Sequence, residues 1–158
     1  MDSKQKQIFT RRLSQCNSGE MIVIIYDIAF TYMSDADRAF AEGRHEDMKT
    51  EIRRAQRALD ELIGSLDFSY DIAEKLYSLY VFCKNELSRA MYENKPDGLK
   101  SAEKILRRLY ASFVEAAKQD TSAPLMENTQ QVYAGMTYAR GELNESCMDE
   151  DGHRGFFV

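Results

Sequence analysis

Glu20-Met21-Ile22-Val23-Ile24-Ile25-Tyr26-Asp27 opens the first of four segments that carry apolar residues at alternating three- and four-residue steps. A helix needs an apolar stripe only about 100° wide to seat on a bundle. From Met21 to Tyr26 six successive positions are apolar, so a helix here presents apolar side chains nearly all round. Something besides the bundle has to cover its outer side, either another part of the chain or a partner.

The first segment reads Ile22, Ile25, Ala29, Tyr32, Ala36, Ala39 and the second Met48, Ile52, Ala55, Leu59, Leu62, Leu66. The third reads Ile72, Leu76, Leu79, Cys83, Leu87, Ala90 and the fourth Leu99, Ala102, Leu106, Leu109, Phe113, Ala116. This is the spacing of bundle seams, and four seams predict four helices. Asn17 with Glu20 makes a capping-box start, Gly43 closes the first helix, and Ser69 is placed to cap the third. Asn94-Lys95-Pro96-Asp97-Gly98 breaks the chain, with Asp97 as the expected N-cap of the fourth. Connections this short force antiparallel neighbours. No window shows strand alternation bounded by turns, and both prolines fall at helix edges. The expected fold is all-α: an antiparallel up-and-down four-helix bundle.

Upstream, Lys4-Gln5-Lys6-Gln7-Ile8-Phe9-Thr10-Arg11-Arg12-Leu13 is a short, basic, mildly amphipathic piece that adds an extra N-terminal helix. Marginal as an isolated helix, it suits a detachable cover for the greasy start of the first long helix, and equally a permanently packed fifth helix. The 158 residues, 44 % apolar, suffice for one domain. The expected division is a bundle domain over residues 1–120, with 1–15 as a cap segment, and a tail over 121–158. Glycine and charge content make that tail irregular or mobile, although its few apolar residues, including Phe156-Phe157-Val158, could still dock.

The N-terminus lacks the hydrophobic core of a signal peptide, and no apolar run approaches the ~20 residues of a membrane span. The expected compartment is the cytoplasm. Cys16, Cys83 and Cys147 are scattered without CxxC spacing, which argues against a disulfide framework or zinc site. A net charge of −5 does not draw the molecule to nucleic acid, and its basic groups, such as Arg53-Arg54 with Arg57, stand beside acids as on a solvated face.

Catalytic chemistry finds little support. There are two histidines, His45 and His153, each far in sequence from a nucleophile. Cys83, between Leu79 and Leu87 on the third seam, reads as a small core residue. Tyr77, Tyr80 and Phe82 read as core and groove wall rather than a cofactor box. Glu42 and His45 have Glu-x-x-His spacing, but a di-iron bundle needs two such elements and the chain has one, in a predicted loop. Asp149 to His153 lacks the glycine and glutamate spacing of a calcium loop, and Gly135 to Gly141 lacks a phosphate loop's Gly-Lys-Ser/Thr. No metal or cofactor is expected.

Ser18-Gly19-Glu20-Met21-Ile22-Val23-Ile24-Ile25-Tyr26-Asp27 resembles the Pro-x-Glu-Leu-Ile-x-Met-Leu-Tyr-Asp entry to the first helix of the FliS family, the flagellin-specific export chaperones. Ala55-Gln56-Arg57-Ala58-Leu59-Asp60-Glu61-Leu62 resembles that family's second helix, and Ile72-Ala73-Glu74-Lys75-Leu76-Tyr77-Ser78-Leu79-Tyr80 its third. The likeness runs over residues 5–118. Ser18 stands where proline is usual, Ile24 and Ile25 replace a Met-Leu pair, and the N-terminal aromatic, usually tyrosine, is Phe9, or Ile8 if the register slips.

The resemblance implies a non-enzymatic bundle that binds the C-terminal segment of flagellin, prevents its premature polymerisation and delivers it to the flagellar type III export gate, with room for other flagellar export or regulatory proteins as partners. An amphipathic segment laid in a groove uses anchors at i, i+3, i+4 and i+7. The expected contact residues are Ile8, Phe9 and Tyr26 at the N-terminal end, and Ile52, Leu59, Ile63, Leu76, Leu79, Tyr80 and Cys83 along the second and third seams. A generic helical-bundle adaptor or regulatory protein with a different partner would show the same seams, and a metal-carrying bundle enzyme would show bound metal on elemental analysis.

Overall fold

The structure, a computed structural model, describes residues 1–126. The tail features from Thr129 to Val158, and Cys147 and His153 with them, lie outside the described residues. Five helices follow in order: α1 Ser3–Gln15, α2 Ser18–Ala41, α3 His45–Gly64, α4 Asp71–Glu93 and α5 Asp97–Gln119. Helices α2 to α5 close a ring of neighbours, α2 against α3 and α5, and α4 against the same two, while α1 packs on α2. This is the expected up-and-down four-helix bundle with a short extra N-terminal helix.

Local chemistry sets most of the boundaries. The Asn17 side chain accepts a hydrogen bond from the Glu20 N–H at 2.9 Å, and the Glu20 carboxylate accepts the Asn17 N–H at 3.1 Å, closing the capping box of α2. Asp2 and Gln5 do the same for α1. Gly43 follows α2 at φ +72°, a left-handed turn that glycine enters without a Cβ penalty. Two caps differ from expectation. Ser69 does not cap α4; its N–H donates to the Asp67 carboxylate at 2.9 Å, and Tyr70 takes the cap position without a side-chain bond. Asp97 is the first residue of α5 rather than its cap, preceded by Pro96, whose ring suits a helix entrance.

Helix α3 presents the expected seam, with Met48, Ile52, Ala55, Leu59 and Leu62 all buried. In α2 and α4 the seam departs from expectation in part; Ala29, Ala36 and Ala39, and Cys83, Leu87 and Ala90, are buried as expected. Tyr26 and Met33 fill the core while Ile22, Ile25 and Tyr32 are half-buried. Ala73 and Tyr80 are buried in α4, whereas Ile72 is 61 % and Leu79 36 % exposed. Along α5 the seam thins toward the end, with Leu109 and Phe113 half-buried and Ala116 exposed.

A buried polar pair accompanies this departure. The Tyr26 and Tyr80 hydroxyls are hydrogen-bonded to each other at 2.7 Å, both side chains wholly inside. A phenol is buried without the penalty of an orphaned hydroxyl when it finds such a partner. The pair spans the diagonal between α2 and α4, and Phe30, Tyr110 and Phe113 gather around Tyr26 with ring centroids 5.6 to 6.2 Å from it. Burial pushes both phenols above the ordinary tyrosine range, so they stay protonated.

Two substitutions check this packing. Tyr80→Phe leaves the Tyr26 hydroxyl buried without a partner and is expected to cost about 1–3 kcal/mol in denaturant unfolding. An unchanged midpoint would mean that the hydroxyl pair contributes nothing. Gly98, in the first turn of α5, lies so close to α4 that a methyl group there would overlap the Glu86 carbonyl oxygen and come within 3.2 Å of the Ala90 nitrogen. Gly98→Ala is therefore expected to destabilise by about 1–3 kcal/mol through overpacking, despite alanine's better helix propensity.

Candidate partner-binding surfaces

Helix α1 lies on the outer side of α2 and supplies part of the cover that the apolar run from Met21 demanded. Polar links hold it. Arg12 pairs with Asp27 at 2.8 Å, and the Met1 ammonium pairs with Asp35. At the α1–α2 junction Ser14 and Cys16 are buried, yet Ile8 remains 57 % exposed and Phe9 half-buried. Cover is therefore incomplete, and α1 itself adds apolar surface.

The chain returns to this junction after α5. The Asp120 carboxylate accepts the Gly19 N–H at 2.9 Å, and the Asp120 carbonyl accepts the Asn17 side-chain amide at 3.1 Å. A carboxylate at a helix N-terminus also meets the positive end of the helix dipole. Hydrogen bonds from Ser122 and from the Gly19 N–H hold the Asp120 carboxyl below the usual aspartate range. The Leu125 N–H then donates to the Cys16 carbonyl at 3.0 Å.

Two concave surfaces are predominantly apolar. One, about 500 Å³, lies among α1, α2 and α3, with Leu13, Met21, Ile25 and Ile28 in its wall and Arg54 and Arg57 beside them. A smaller one of about 160 Å³ lies where the α3–α4 loop meets the bundle end, lined by Ile22, Leu66, Tyr70, Ile72, Leu76 and Phe113. A third cavity of about 480 Å³, with Arg12, Glu20 and Lys118 in its wall, is more polar. Around the loop cavity stands the largest collection of exposed aromatic and aliphatic groups among the described residues. It comprises Phe68, Tyr70 and Ile72, each more than half exposed, with Tyr77, Leu79 and Phe82 farther along α4. Phe68 and Tyr77 support one another edge-on at 6.1 Å.

The expected contact residues divide by burial. Ile8 and Leu79 are exposed, and Phe9, Ile63 and Leu76 half-buried. Tyr26, Ile52, Leu59, Tyr80 and Cys83 are corrected to core positions, at most 1 % exposed, because seam residues meet one another before they meet a partner. Helix spacing alone does not separate the two cases. Expectation missed Phe68, Tyr70 and Ile72 as surface groups. For Phe68 and Tyr70 the signal was the turn chemistry of Asp67-Phe68-Ser69-Tyr70, since connecting segments run over the surface.

Burial, then the Glu86 charge, raise the Cys83 thiol to about 11, so it carries no thiolate at neutral pH. Among the described residues no group of three His, Cys, Asp or Glu side chains could hold a metal ion. Glu42 pairs with Arg44, and His45 opens α3 against the Phe40 ring. No described helix is long and apolar enough to cross a membrane.

The sequence pattern of the flagellar protein FliS family matches residues 1–120, which is α1 through the Asp120 clasp. The chain belongs to the FliS family. No curated protein sequence matches it. FliS membership carries a general role as a flagellar export chaperone with protein partners, and the all-helical bundle with apolar outer surfaces is in keeping with it.

Deleting residues 1–15 from this FliS chain should expose Met21, Ile25 and Ile28, raising hydrophobic-dye fluorescence and self-association. An unchanged dye signal from a folded, monomeric truncation would show that α1 covers nothing of consequence. The Asp120 clasp has a pH signature. Its folded pKa is depressed, so its contribution is present above the unfolded aspartate pKa of about 3.9 and is lost as pH falls through the folded value. Asp120→Asn should melt below wild type at neutral pH and converge with it in acid; a constant gap would contradict the clasp.

Proposed function

We propose that the protein is a cytosolic export chaperone that binds the C-terminal segment of flagellin, keeps it from polymerising prematurely and aids its type III secretion, without catalysis or a cofactor. The observation that carries the reading is the apolar strip on α4, Ile72 and Leu79 exposed with Leu76 half-buried between them, beside the cavity at the α3–α4 loop, a surface on which the apolar face of an amphipathic segment can lie. Family membership supplies the flagellar setting, and bundle stability alone gives no reason to leave Ile72 61 % exposed. Contact falls to Ile72, Leu76 and Leu79, with Phe68 and Tyr70 from the loop, and to Ile63, Ile8 and Phe9 on neighbouring elements. Tyr26, Ile52, Leu59, Tyr80 and Cys83 support that surface from beneath.

Calorimetry with a peptide from the cognate flagellin's C-terminus should show the negative heat-capacity change of apolar burial and an unfavourable ordering entropy. The peptide should also raise the melting temperature, since a ligand of the folded state stabilises it by mass action. Ile72→Ala with Leu79→Ala should weaken binding by about tenfold or more, as loss of anchor side chains does, while helical content stays unchanged because both side chains are exposed. No heat and no thermal shift would remove the flagellin reading and leave a bundle adaptor for another partner. That adaptor would be recovered with a protein other than flagellin in a pull-down.

A further inference from the structure

Helix α1 is joined to α2 by two residues, Cys16 at φ −82°, ψ 153° and Asn17 at φ −85°, ψ −177°. Both are extended, and their torsions set the direction in which α1 leaves α2. Within α1 only Ser14 is buried, and Cys16 just beyond it is 3 % exposed. Burial therefore anchors the helix at its hinge end, where Leu13 stands beside Met21, Ile25 and Ile28 in the wall of the α1–α2–α3 cavity.

The chain after α5 bonds to both hinge residues. The Leu125 N–H donates to the Cys16 carbonyl at 3.0 Å, and the Asp120 carbonyl accepts the Asn17 side-chain amide at 3.1 Å. The two Asp120 carboxylate oxygens are divided between the N–H of Gly19, in the first turn of α2, and that of Ser122, each at 2.9 Å. The contact is close, since a methyl group on Gly19 would come within 2.8 Å of the Asp120 carboxylate and 3.3 Å of the Ala117 Cα. Pro124 stiffens the last step before Leu125 by fixing its own φ. The Leu125 side chain is more than half exposed, which leaves the backbone bond as its main tie to the hinge. A hinge of this kind opens by changing the torsions of a few residues at the ends of its elements. Here such a change swings the Cys16 carbonyl or the Asn17 side chain away from a partner attached to the end of α5. We infer that residues 120–125 form a strap that locks the Cys16–Asn17 hinge, so that α1 lifts from α2, uncovering Met21, Ile25 and Ile28, only when the strap lets go. The inference concerns the free chain and does not depend on the flagellin reading.

The test is hydrogen exchange of the full chain, which reads the opening of each helix separately. A lifted α1 of 13 residues is marginal on its own, so its amides report the opening. Leu125→Pro removes the N–H that the Cys16 carbonyl accepts, whereas Leu125→Ala keeps it. Asn17→Asp removes the amide donor to Asp120 while leaving α2 capped, because aspartate caps a helix as well as asparagine does. Leu125→Pro and Asn17→Asp should each speed exchange of the α1 amides by roughly fivefold, the net worth of one hydrogen bond. The double variant should speed it further, with the core amides of α3 and α4 unchanged throughout, and Leu125→Ala should match wild type. Unchanged α1 exchange in both bond-removing variants would overturn the inference. So would equal acceleration in every helix, which would make the strap a general stabiliser, or loss of α1 protection in Leu125→Ala, which would remove the backbone bond as the lock.

Discussion

The Tyr26–Tyr80 hydroxyl bond is the constraint on which the rest of this bundle turns. It joins α2 to α4 across the ring, where the helices are not neighbours, and it satisfies two phenols that burial would otherwise penalise. Helix α2 is apolar on all sides near its start, so hydrophobicity alone leaves its rotation open. The phenol decides it. With Tyr26 inward, Ile25 and Ile28 turn toward the outer groove; with Tyr80 inward, Ile72 and Leu79 turn away from the core. The polar pair thus accompanies the arrangement in which these apolar residues lie toward the surface.

The remaining apolar surface is managed unevenly. Over α2 it is partly covered by α1, held by the Arg12–Asp27 and Met1–Asp35 ion pairs rather than by deep packing. The Arg12–Asp27 pair is partly exposed and contributes little stability in water; the Met1–Asp35 pair is largely buried, yet α1 packs on α2 alone. Over α4 the apolar groups stand open. In the proposed role, holding a client segment and then releasing it, this division places a buried core under open apolar surfaces.

Much of the architecture was legible in the residues. The capping box at Asn17 and Glu20, the glycine after α2 and the α3 seam are all local signals, and each is present where the sequence set it. Seam rotation was not legible in α2 and α4. Ile25 against Tyr26, and Leu79 against Tyr80, are adjacent pairs that fit the three-four spacing equally, and the choice depends on a residue 54 positions away. For the same reason five of the ten expected contact residues are core: a seam position serves packing or binding with the same pattern.

Hydrogen exchange of the full chain, alone and with the flagellin C-terminal segment, tests the account most directly. In the free protein, amides around Tyr26, Leu59 and Tyr80 should exchange only through global opening, while those of α1 exchange through cheap local opening. The bound segment should slow exchange in the α3–α4 loop, along α4 and around the α1–α2–α3 groove, leaving the core amides limited by global unfolding. An α1 as protected as the core in the free protein, or a bound segment that alters none of these regions, would contradict it.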